Sequence, residues 1–349
     1  MSAGQGKSLT TPPENLKEAI DWVLRVSGRD NNQKDDEAIK GLAGTLQAML
    51  NGDPGVVKEE VKEKFGEVSK SVMENFSKSK TQIYQTSERG FAVPHGILHK
   101  FSKGLEPFPS GSAAISREKA ERWALAVREE TLQNLIKDLA NGLKKFVAPT
   151  SGIVQGSVAS AYKPDAKWES LQAAERKDCA IIFLAILPLL YIAVTYLYWR
   201  CSLSNDSSEP FVSWSGQRFN SNKGLKKYMA ALGYTEKDLN ESEKGQDIAS
   251  HLQSAFSTEL SGNVSSQDYP DFLEKLQKPL KSSLPSPSHP LTSLYFLSYY
   301  YITYPLHDVQ STSPASPSFT GYSGLSALAG GAYGLNLGGL GTFMGALLA

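Results

Sequence analysis

Apolar residues recur at helical spacing through the first third of the chain. Leu16, Ala19, Ile20, Val23 and Leu24 share one face, Pro12 and Pro13 precede them, and Gly28 follows as a stop. A polar stretch, residues 29–34, separates this helix from a second one. There Ile39, Leu42, Leu46, Met49 and Leu50 line one side, and Asn51-Gly52 ends it. Pro54-Gly55 opens a third helix. Its stripe of Val57, Val61, Phe65, Val68, Val72 and Phe76 faces Lys and Glu on the other side, the pattern of an amphipathic helix against a core. Residues 81–112 mix Pro, Gly and aromatics and read as a packed loop. Ser116 then caps a long helix predicted to run to about Pro149, lined by Val127, Thr131, Leu135, Leu139 and Phe146. Such pieces joined by short turns predict a mostly α fold, an antiparallel helical bundle with irregular loops.

The second half changes character. A Gly/Ser/Ala linker leads to a helix starting near Pro164, wet at first and then wholly apolar. Residues 180–199 contain no charge; Cys179 and Cys201 flank them and Pro188 sits near the middle. Twenty apolar residues make roughly 30 Å of helix, about the thickness of a bilayer's hydrocarbon core. The run therefore reads either as a membrane span or as a buried central hairpin folded back near Pro188. In one straight helix the two cysteines lie about 33 Å apart and cannot bond; in a hairpin they can meet, which makes them a candidate disulfide. Short helices are predicted around 225–232, ended by Gly233, and around 247–260 and 272–280. A second apolar run covers 291–306, and the tail is Gly-rich, apolar and uncharged. The expected organisation is a flexible N-terminus (1–11), an N-terminal helical bundle (12–150), a linker (151–164), a central helix or hairpin (165–201), a short-helix region (202–318) and the tail (319–349).

Charge alters this picture little. Lys+Arg and Asp+Glu are balanced at 36 each, and no long basic run offers a nucleic-acid groove. No apolar leader segment opens the chain, so any export is expected without an ordinary signal peptide.

Candidate chemistry is sparse. His95 and His99 have the spacing of a helical metal pair, but Pro94, Gly96 and the want of a third ligand favour loop histidines. His251, His289 and His307 are scattered, and the Gly321–Gly324 stretch lacks the spacing of a nucleophile elbow. Gly330, Gly334 and Gly338, and then Gly341 and Gly345, repeat every fourth residue. That spacing suits close helix packing, although glycine at this density favours a flexible segment. Sequons at Asn75, Asn205, Asn240 and Asn263 carry little weight. No catalytic, cofactor or metal constellation emerges, and the expectation is a protein that is not an enzyme.

Four blocks carry a resemblance. PPENLKEAIDWVLRVSGRD with AIKGLAGTLQAML, then ILPLLYIAVTYLYWRC, then PLTSLYFLSYYYITYPLHDVQSTSPASPSF, and the tail GYSGLSALAGGAYGLNLGGLGTFMGALLA resemble the variant erythrocyte surface antigen-1 family of Babesia, in the family's order. The resemblance implies display on infected red cells, antigenic variation with immune evasion, and cytoadhesion to a host endothelial receptor. It also implies pairing with an alpha or beta partner subunit, and no catalysis or cofactor. Family members are longer and richer in cysteine, so this chain resembles a truncated or short member. A small integral membrane protein and a non-displayed donor copy for recombination are the competing expectations. The family's layout places the 179–201 run inside the ectodomain, which points to the buried hairpin.

Overall fold

The computed structural model describes residues 6–30, 36–52, 54–83, 113–147, 160–202, 211–212, 218–219, 232–234, 245–256 and 289–303. These are mostly helical. Among the described residues are eight α-helices: α1 (Leu16–Val26), α2 (Glu37–Asn51), α3 (Pro54–Ile83), α4 (Ala113–Ala126), α5 (Glu129–Val147), α6 (Ala173–Ser202), α7 (Gly245–Ala255) and α8 (Pro290–Thr303). A 3-10 turn, Trp168–Ser170, precedes α6. A two-residue antiparallel ribbon pairs Phe211 with Phe219 and Val212 with Arg218.

Local chemistry sets the helix ends. Asn15 caps α1 by accepting from the Glu18 backbone N–H at 2.9 Å. At the other end Gly28 takes φ 66°, the left-handed conformation that glycine adopts without strain. There Gly28 N–H donates to the Arg25 carbonyl and Arg29 N–H to the Leu24 carbonyl, the paired bonds of a Schellman stop. Glu175 accepts from the Gln172 N–H at 2.8 Å and marks the true start of α6. Pro290 opens α8 at its first position, where a missing N–H costs nothing.

Predicted faces and packed faces coincide for the first three helices. Leu16, Ala19, Ile20, Val23 and Leu24 are buried in α1, and Val57, Val61, Phe65, Val68 and Val72 in α3. The side chain of Phe76 lies outside the described residues.

Four expectations need correction. The long helix predicted from Ser116 is two helices broken at 127–128, and the break lets the second half turn towards α2 and α7. Helix α4 packs on α8, with the Trp123 indole N–H donating to the Ser293 carbonyl at 3.0 Å; α5 also reaches α8 but lies chiefly on α2 and α7. The helix predicted from Pro164 begins at Ala173, because Trp168 turns into the core against Gly41 of α2. The described part of the expected loose N-terminus is packed: Leu9 is 1% exposed, and Lys7 forms a parallel bridge with Tyr162, at the end of the expected linker. Finally, residues 173–202 are one helix that runs through Pro188, not a hairpin.

Helix α6 is the axis of the fold. It contacts α8, α3, α7, α1 and α2. From Cys179 to Val194 every residue is buried, on all sides of the helix. A helix apolar all round is stable in water only when covered all round. One contiguous core joins Leu9 at the N-terminal side to Ile302 in α8 and draws on all eight helices.

Between these elements the turn at 232–234 docks on the start of α1. The Leu232 carbonyl accepts from the Lys17 N–H at 3.0 Å, and Leu232 and Tyr234 are buried. Gly233 has φ 96°, and a Cβ there would run into the side chain of Asn15. Gly233→Ala is therefore expected to lose about 1–3 kcal/mol, through backbone strain and a displaced cap. Urea unfolding with Gly28→Ala as the comparison checks this: both strain a left-handed residue, but only Gly233→Ala also disturbs Asn15.

Candidate functional site

Chemistry-bearing groups gather in three places around α6. The first is the seam with α8. A proline lacks the N–H that would bond to the carbonyl four residues earlier, so Pro188 leaves the Leu184 carbonyl without its helical donor. Ser298 of α8, fully buried, supplies one: its Oγ donates to the Leu184 carbonyl at 2.7 Å. This bond explains how an apolar helix carries a central proline without folding back. Tyr191 and Tyr295 stack across the same seam with ring centroids 4.5 Å apart.

At the far end of the seam Lys58 of α3 is 4% exposed, and its ammonium lies 4.1 Å from the ring centroid of Tyr300. Burial pushes its pKa below the ordinary lysine value; the Glu121 carboxylate opposes this and Lys62 adds to it. The aromatic face replaces part of the lost hydration of the cation.

The second place is the N-terminal end of α6. The Leu9 carbonyl accepts from the Trp22 indole N–H at 2.8 Å and from the Cys179 thiol at 3.5 Å. Cys179 is free and buried, and burial, with Asp178 and Glu175 adding, pushes its pKa up to about 12. A thiol so protonated is a poor nucleophile. Lys7 pairs with Glu18 at 2.7 Å and with Glu14 at 3.0 Å.

The third is a charge cluster at the start of α2. Asp36 stands at the N-cap but makes no cap bond. Its carboxylate instead accepts from Lys137 of α5 at 2.7 Å and from Arg29, which is 6% exposed. The Lys137 bond holds the Asp36 carboxyl below its ordinary range; burial works against this, and Arg29 adds to it. A carboxyl with a depressed folded pKa adds stability above its unfolded value, about 3.9, and loses it as pH falls below that value. The predicted result is that Asp36→Asn loses about 1–3 kcal/mol at pH 7. The gap to the parent chain should shrink below about pH 4, as urea midpoints across a pH series will show.

The sequence-predicted candidates are not gathered together. Cys179 lies near the start of α6 and Cys201 near its end, so helical rise keeps them about 33 Å apart. The candidate disulfide between them is thereby excluded, because a bonded pair needs Cα atoms within about 7 Å. Helix α6 also holds the one stretch among the described residues long and apolar enough to cross a membrane, with 94% of its most apolar window buried inside the protein. His251 lies on α7 and His289 just before α8. His95, His99, His307, the Gly321–Gly324 stretch, the glycines 330, 334, 338, 341 and 345, and Asn205, Asn240 and Asn263 all lie outside the described residues. Asn75 lies in α3. Among the described residues no group of three or more His, Cys, Asp or Glu is placed to hold a metal.

Sequence reasoning passed over Lys58, Ser298 and Asp36. A signal existed for two of them. Lys58 adjoins the Val57–Val61 stripe, and Ser298 sits in an otherwise apolar run that must pack against something. Asp36 offered only the ordinary appearance of an N-cap.

No family model, no curated protein and no solved structure matches this chain.

Proposed function

We propose that the chain is a non-catalytic helical domain of a variant surface antigen, displayed on infected erythrocytes and acting in adhesion to host cells and immune evasion. The observation that carries this reading is the run of four sequence blocks resembling that antigen family in order. The covering of α6 agrees with it: an ectodomain needs its most apolar helix inside, and five helices pack around this one. The helices, on this reading, form a bundle with antiparallel neighbours. On this reading the partners are the alpha or beta companion subunit and a host endothelial receptor. Antibody labelling of intact infected cells tests it. Surface signal removed by external protease is the expected result, and signal only after permeabilisation overturns it.

The length and apolarity of α6 favour a second reading, membrane association through residues 180–199. Alkaline carbonate extraction separates the two. The wrapped core predicts release into the soluble fraction, and retention in the pellet would establish the span.

A further inference from the structure

We propose that residues 6–11 form a clasp over the N-terminal end of α6, one that opens as a unit while the helices beneath it stay packed. The proposal is independent of the surface-antigen reading.

The clasp is held by few contacts, and they converge. Its backbone joins the 161–163 segment by two hydrogen bonds, Lys7 N–H to the Ala161 carbonyl at 2.9 Å and Lys163 N–H to the Lys7 carbonyl at 3.0 Å. Its one large buried side chain is Leu9. The Leu9 carbonyl is shared by two donors beneath it, Trp22 and Cys179. Lys7 fastens the outer edge to Glu14 and Glu18. Gly6 lies so close to the Tyr162–Lys163 backbone that a Cβ would collide with it.

Two features lower the cost of opening relative to global unfolding. Only one apolar side chain leaves the core, whereas α6 below keeps its contacts with five helices. Tyr162, whose backbone pairs with the clasp at Lys7, has a buried hydroxyl with no hydrogen-bond partner among the described residues, so loosening this region costs that group nothing. Opening also uncovers Cys179, which makes the thiol a reporter of the motion.

The test follows modification of Cys179 by a soluble thiol reagent in the full chain carrying Cys201→Ser, with circular dichroism recorded in parallel. The expected result is labelling that depends weakly on urea and is complete while the helical signal is unchanged. Gly6→Val, whose Cβ would meet the Tyr162–Lys163 backbone on which the clasp rests, should speed labelling at least 10-fold. Leu9→Ala should speed it about 10–100-fold, and Lys7→Met by a few-fold. Val68→Ala, a core truncation in α3, should leave the rate in the absence of urea nearly unchanged. The proposal is overturned if labelling follows global unfolding in its urea dependence, or if Val68→Ala speeds it as much as Gly6→Val does. Should Leu9→Ala fail to fold, Gly6→Val and Lys7→Met still decide the matter.

Discussion

Shortening the large side chains of α6 to alanine, one at a time from Ile182 to Leu197, is expected to destabilise the protein at every position. The losses should show no helical period. The cost per site should be about 2–5 kcal/mol for Leu and Ile, with Phe183→Ala near the top of the range. Such a loss is a large part of the 5–15 kcal/mol by which a typical domain is stable. The reason is geometric. Ile182, Phe183, Leu184 and Ala185 follow one another at about 100° steps round the helix and are all fully buried, so every side of it is covered. Truncation on any side therefore leaves a cavity walled by protein. A helix facing lipid behaves otherwise, because acyl chains fill the space on its exposed side and losses then rise and fall every 3.6 residues. Urea unfolding of the series, plotted against residue number, distinguishes the two. A tolerated stripe at that period would mean that α6 is not wrapped as described.

How legible this fold is in the sequence depends on which neighbours decide each element. Helices α1, α2 and α3 are set by their own patterning. The capping Asn15, the stop at Gly28 and the 57-61-65-68-72 stripe are short-range signals, and tertiary packing agrees with them. The break at 127–128 is different. Nothing in VREET demands a break; it lets α4 lie on α8 while α5 lies chiefly on α2 and α7, and that is information about distant elements. The packed N-terminus is hidden for the same reason. A Ser/Thr/Gly-rich segment carrying one leucine looks loose until Trp22, Cys179 and Tyr162 are seen around it.

The candidate site is legible only in outline. Composition identifies residues 180–199 as the centre of the chain, and length alone makes them a plausible span. Burial of the helix cannot be read from it, because a core helix and a membrane helix have the same composition. Its coverage depends on α3, with its Lys- and Glu-rich outer face, lying along it. Ionisable residues placed that close to α6 would be costly in hydrocarbon and cost little in water. Lys58 shows the balance locally. Its stem and ammonium are buried, and Tyr300 with Glu121 makes the burial tolerable.

Pro188 misleads most, and it supports the last expected result. The proline suggests a fold-back because its missing N–H and its ring disturb the Leu184 carbonyl. The hairpin, and with it a bond between Cys179 and Cys201, follows only if that carbonyl stays unsatisfied. Ser298, 114 residues further along the chain, satisfies it. Ser298→Ala should therefore cost about 1–3 kcal/mol, since it leaves a buried acceptor without a donor. Pro188→Ala restores an N–H at the position that serves Leu184 within α6. In that background the Ser298 hydroxyl is redundant, and Ser298→Ala should cost under about 1 kcal/mol. The double-mutant cycle isolates this dependence from the separate effect of removing the proline ring, which differs in sign between a strained and an adapted helix. Urea midpoints of the parent, the two single variants and the double variant complete the measurement. If the two substitutions add within about 0.5 kcal/mol, the Ser298 bond is not what carries α6 through its proline.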